Sequence, residues 1–253
     1  MFAGSPSGCT WRTPCSAHLH EHSSGTGTYK GDASTGRSLV DSYRFPEPPN
    51  VRPLSGPEQV FAYKVTANVA NIGARVVSQT PGVKVTPRVV RDGDENRLAG
   101  YTALPRDLNP YRDLFGRDVP VVGAILPGRG TYDLVFDTAS KAEAGRFVFR
   151  FWVNDVTPPT VKMIGYNKRG TVWLAVTDAG SGVDPASLSA TVDGMQHDVA
   201  FSGGRAVIAS GTLARGTHKV VLVVSDYQES KNMEDVARIL PNTRVFTAPL
   251  KLR

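Results

Sequence analysis

The chain has 253 residues, with 25 Gly, 18 Pro and 2 Cys, and 29 Lys and Arg against 23 Asp and Glu give it a formal net charge of +6. That length holds about two domains, each able to bury its own core. The basic residues are scattered among acids, unlike the clustered stripe of a nucleic-acid binder, and no run of about 18 apolar residues could cross a membrane as a helix. Turn residues mixed with Val and Thr predict an all-β protein, read as two tandem antiparallel β-sandwiches, the second immunoglobulin-like by its count of seven short strands.

Residues 1–50 read as a Gly/Ser/Pro-rich lead-in, able to complete the edge of the sandwich that follows. Cys9 and Cys15, close together in a chain with no other cysteine, predict a local disulfide of an exported protein. His18, His20 and His22 alternate, so an extended chain presents them on one face. They are candidates for a zinc site completed by Cys or His, or form a solvated His-rich segment. Met1–Pro6 has neither the charged start nor the apolar core of a signal peptide. The chain is therefore expected to be the C-terminal part of a longer secreted protein.

Residues 51–157 are the first expected sandwich. Strand patterns run over Gln59–Ala67, Ile72–Val77, Val83–Val90, Val121–Leu126, Thr131–Phe136 and Arg146–Val153. The stretch Asn96–Arg117 is too irregular for a ladder and reads as a long excursion across one end. Its aromatic residues Tyr101, Tyr111 and Phe115 are candidates for a sugar-stacking platform, whereas Trp152 and Trp173 fall within strands and read as core. At Val153-Asn154-Asp155-Val156-Thr157-Pro158-Pro159 the two prolines cannot donate to a ladder, so one domain stops and another starts.

Residues 158–253 are the second expected sandwich, with strands over Val161–Tyr166, Thr171–Val176, Leu188–Val192, His197–Phe201, Ala206–Ala209, His218–Ser225 and Val245–Leu252. Asp193-Gly194 favours a tight hairpin, and a helical turn is expected around Met233–Leu240. Calcium is the cofactor these loops suit, since it takes several oxygen ligands. Asp155, Asp178, Asp184 and Asp226 are placed to meet at one end of this sandwich, with a second acidic cluster at Asp92–Asn96. The alternative is that Asp and Asn simply initiate turns there.

Two blocks resemble the region that follows the catalytic domain in secreted bacterial subtilisin-like serine proteases. One is Gly130-Thr131-Tyr132-Asp133-Leu134-Val135-Phe136-Asp137, running on into Phe149–Pro159; the other is Val224-Ser225-Asp226-Tyr227-Gln228-Glu229-Ser230-Lys231-Asn232-Met233-Glu234. Val176-Thr177-Asp178-Ala179-Gly180-Ser181-Gly182-Val183-Asp184 is similar to bacterial Ig-like domains, and Asn154-Asp155 resembles the junctions of cadherin domains, without the other cadherin ligand motifs. The resemblance covers most of residues 46–253 and implies that the first sandwich is pre-peptidase C-terminal-like or jelly-roll-like, with a calcium-stiffened hinge after it.

The protease motifs themselves are not intact. Asp41-Ser42-Tyr43 lacks the glycine of the family's aspartate motif, Arg215-Gly216-Thr217-His218 lacks the first histidine of the His-Gly-Thr-His motif, and no Gly-Thr-Ser-Met/Ala nucleophile segment occurs. The expectation is a non-catalytic, secreted or cell-surface accessory tail that stabilises, spaces or positions its parent. Its partner is then an upstream catalytic domain of the same polypeptide, with a cell-envelope polymer or glycan as a further partner. The alternative is an independent extracellular adhesion or carbohydrate-binding module.

Overall fold

A computed structural model describes residues 17–18, 25–35, 56–91, 101–102, 121–125, 127–230 and 242–252. The described residues form two compact units that divide between Asn154 and Asp155. Each is a pair of β-sheets closing over its own core.

The first unit contains β1 (Ala17–His18), β2 (Gly27–Asp32), β3 (Gln59–Val65), β4 (Asn71–Gln79), β5 (Thr86–Arg91), β6 (Tyr101–Thr102), β7 (Val121–Ile125), β8 (Gly130–Asp137) and β9 (Arg146–Val153). One sheet has the order β1-β3-β8-β5 and the other β2-β9-β4-β7-β6. The antiparallel pairs β2–β9, β3–β8 and β4–β7 nest one inside another while the chain passes back and forth between sheets. This is the winding of a jelly roll. The described stretches of the lead-in, 17–18 and 25–35, thus belong to the first sandwich: β2 pairs with β9 over six positions, and β1 runs parallel to β3.

Alternation fixes which residues meet inside. Phe147, Phe149 and Phe151 of β9 point inward with Ile72, Ala74 and Val76 of β4, against Phe61, Val65, Leu134 and Phe136 of the facing sheet. Phe136 and Phe149 have ring centroids 4.5 Å apart, and Phe61 and Phe149 4.8 Å, within the range where tilted rings attract. Trp152 points the other way. It is fully buried, and it lies across Gly73, its cross-strand partner.

The second unit contains β10 (Thr160–Tyr166), β11 (Thr171–Thr177), β12 (Ser189–Val192), β13 (Met195–His197), β14 (Val199–Ser202), β15 (Arg205–Ala209), β16 (Gly216–Ser225), the single helical turn α1 (Tyr227–Ser230) and β17 (Thr243–Leu252). Its sheets have the orders β10-β11-β15-β14 and β13-β12-β16-β17. Read as A-B-E-D and C-F-G with one extra short strand beside C, this is the immunoglobulin arrangement. Val172, Leu174 and Val176 face Val220, Leu222 and Val224 across the core.

Three features differ from the sequence expectation. The run His197–Phe201 is two strands in different sheets, β13 and β14, broken at Asp198. Trp173 is half-buried, because the inward positions of β11 belong to Val172 and Leu174. The division of the chain falls three residues ahead of the expected 157/158 boundary. Asn154 is tied backward, its N–H donating to the Asn71 carbonyl at 2.7 Å, whereas Asp155 is tied forward to Ser181. The expected helical turn at Met233–Leu240 lies outside the described residues.

Candidate metal centre

Three loops of the second unit converge at one end of its sandwich. Asp155 opens the unit, Asp178 follows β11, and Asp226 follows β16. One carboxylate oxygen from each lies within 4.8 Å of the others. Asp155 and Asp226 are buried and Asp178 is half-buried.

Backbone N–H groups hold each carboxylate. Asp155 Oδ2 accepts from Ser181 N at 2.6 Å, Asp178 Oδ1 from Gly182 N at 2.7 Å, and Asp226 Oδ1 from Glu229 N at 2.8 Å. The Asp226–Glu229 bond caps α1 at its N-terminus, the expected role for Asp three residues before Glu. The Asp178–Gly182 bond closes the Gly-Ser-Gly turn, in which Gly182 has φ +93. Within that turn Ser181 is buried, and its Oγ accepts from Gln228 N at 2.9 Å, locking the turn to α1.

Asn242 completes the cluster. Its Nδ2 donates to Asp226 Oδ2 at 2.7 Å and to the Asp155 carbonyl at 3.0 Å, while its backbone N–H donates to Glu229 Oε2 at 3.0 Å. Its Oδ1 is buried and has no hydrogen-bond partner. Burial, and then the negative charges of Asp155 and Asp178, push the Asp226 carboxyl up to about 9. An arrangement of this kind relieves its own repulsion by holding a proton or a cation.

Of the four expected calcium ligands, Asp184 stands apart from the trio. Its Oδ1 accepts from Ala186 N at 3.1 Å and caps the 3₁₀ turn Pro185–Ser187. Pro185 at the first position of that turn already signals a cap just before it. Asn242 and Gly180 were missed in the sequence: an Asn after a proline looks like any loop residue, and the need for glycine at 180 comes only from the approach of Asp155. Cys9, Cys15, His20, His22, Asp92–Asn96, Tyr111 and Phe115 lie outside the described residues. His18 falls in β1 and Tyr101 in β6, both described by backbone alone.

The His218 segment, the partial match to the protease histidine motif, is occupied by structural bonds. His218 Nδ1 lies 2.6 Å from Asp193 Oδ2, and Nε2 lies 2.9 Å from the Ala214 carbonyl. Both partners only accept, so the doubly protonated ring is the form that can donate to both at once. These bonds, that to Asp193 foremost, raise its pKa. With both ring nitrogens engaged in these contacts, neither faces a hydroxyl nucleophile in the described residues.

No protein-family model matches the chain, and no curated protein does either. Among solved structures, the adhesin domain of Epf from Streptococcus pyogenes aligns over 78% of this chain and 77% of its own, at 11% identity and a TM-score of 0.29. A likeness that loose carries no argument. Among the described residues no helix is long and apolar enough to cross a membrane.

Proposed function

We propose that this chain is a non-catalytic accessory region of an exported protein, and that its two sandwiches stabilise, space or position a larger parent. The observation that carries this reading is the tandem arrangement itself: a jelly-roll unit and an Ig-topology unit, each closing its own core and succeeding one another at Asn154–Asp155. Such modules act as spacers and supports, and the doubly engaged His218 fits that role better than a catalytic one. The parent we infer is a subtilisin-like serine protease, on the resemblance of Gly130–Asp137 and Phe149–Pro159. Sequencing the reading frame upstream of Met1 tests this. Intact Asp-Ser/Thr-Gly, His-Gly-Thr-His and Gly-Thr-Ser-Met/Ala segments are the expected result; a frame without them overturns the protease assignment.

One observation favours the adhesion reading as a second possibility. An open cleft of about 670 Å³ in the first unit is lined by Lys30, Asp32, Gln59, Gln79, Arg146 and Phe147. Charged and amide groups lining an open cleft are donors and acceptors that a sugar uses. A glycan array probed with the full chain, with binding lost in Arg146→Ala, would favour adhesion over the accessory role.

A further inference from the structure

Asp155, Asp178 and Asp226 arrive from three separate stretches of the second unit, yet one oxygen of each falls within 4.8 Å of the others. Two oxygens on opposite sides of one calcium ion, each about 2.4 Å from it, stand about 4.8 Å apart, so the trio fits inside a single coordination sphere. The N–H groups of Ser181, Gly182 and Glu229 fix the carboxylates in these positions before any ion arrives.

A second, independent observation comes from Asn242. The residue is 1% exposed, and its amide is wedged between Asp226 Oδ2 and the Asp155 carbonyl. Its Oδ1 is left without a hydrogen-bond partner inside the cluster. Buried oxygens almost always find a partner, and an unpartnered amide oxygen on a side chain anchored through its Nδ2 to Asp226 and to the Asp155 carbonyl is a hard ligand for a hard cation.

We propose that Asp155, Asp178, Asp226 and the Asn242 Oδ1 bind one calcium ion, with water completing its shell. The donors are all oxygen, which disfavours zinc and copper. Magnesium, at about 2.1 Å from its ligands and strictly octahedral, is less suited to donors gathered from three loops. The site needs no residue of the first unit and stands whether or not the parent is a protease.

The test uses the full chain, stripped with EDTA and titrated with calcium chloride while thermal unfolding is followed. A ligand that binds only the folded state raises Tm in a concentration-dependent way. With the affinity in the range of about 0.1–1 mM seen for extracellular modules, several millimolar calcium should raise Tm by at least about 5 °C, and magnesium by less. Asp178→Asn, which keeps an oxygen to accept from Gly182, should raise the Kd for calcium at least about ten-fold. Asp226→Asn, which removes one of the three carboxylates, should abolish the calcium response. Two results overturn the proposal: a wild-type Tm that does not move up to 10-fold above that concentration range, or a response that persists unchanged in both variants, which would place the ion elsewhere in the chain.

Discussion

Gly180 lies so close to Asp155 that a β-carbon on it would stand 2.2 Å from the carboxyl Cγ and 2.3 Å from both oxygens. The carboxylate cannot retreat easily, because Ser181 N already holds it at 2.6 Å. Gly180→Ala should therefore destabilise the second unit by about 1–3 kcal/mol, the usual cost of overpacking, and weaken calcium binding with it. Urea denaturation of the variant beside wild type measures the first effect.

The same steric logic applies in the first unit. A β-carbon at Gly73 would stand 2.2 Å from Trp152 Cζ2, in a ring that is fully buried. Gly73→Ala should cost about 1–3 kcal/mol and change the near-ultraviolet circular dichroism of the tryptophan. The unfolding of the second unit should not move.

Asp184→Ala separates capping from ion binding. Loss of the cap on Pro185–Ser187 should cost about 1 kcal/mol, while the calcium-induced rise in Tm stays as in wild type. A lost calcium response in this variant would return Asp184 to the ligand set.

The Asp193–His218 pair gives a pH dependence whose sign follows from two shifts. His218 is raised above its ordinary 6.5, so the stability it contributes is complete at lower pH and is lost as pH rises through the folded value. Asp193 is lowered from its ordinary 3.8 by the Lys219 N–H and by His218, so its contribution disappears as pH falls through its folded value. Between those limits both are charged. Proton NMR should find the His218 midpoint above 6.5, and Asp193→Asn should bring it down.

Glu58 has the opposite character. It is buried beside Asp137, whose carboxylate is gripped by the Arg88 guanidinium, and Glu58 Oε1 has no hydrogen-bond partner. Burial first, and then the Asp137 charge, push the Glu58 carboxyl up to about 8 from an ordinary 4.5. The folded protein therefore binds the extra proton across that interval, and stability falls as pH rises from the ordinary to the folded value. Glu58→Gln, a neutral isostere that can still donate to Asp137, should flatten this decline and gain on the order of 1 kcal/mol at pH 8. Thermal melts across that pH range check it.

The strand positions were legible because they rest on local alternation. Phe147, Phe149 and Phe151 announce β9 by their spacing, and Asp193-Gly194 forms the β12–β13 turn with both residues at positive φ, as the dipeptide implies. The break at Asp198 was not legible, since Met195–Ser202 has a continuous strand composition and only tertiary pairing sends its halves to different sheets. The place of β2 was half legible: composition marks the lead-in as loop, and β2 is a strand because β9 needs an edge partner. At the acidic cluster, Asp155, Asp178 and Asp226 could be singled out as carboxylates beside strand ends. Asp184 could not be separated from them, because capping a turn and coordinating an ion call for the same residue type.

Trp152 sits in the first unit and Trp173 in the second, and the third tryptophan of the chain, Trp11, lies outside the described residues. Each sandwich thus contains its own intrinsic fluorophore, one fully enclosed and one partly open to solvent. Replacing Trp11 together with either of them by phenylalanine turns the protein into an optical gauge of the other half, so the two cores can be melted, and their cooperativity compared, without cutting the chain.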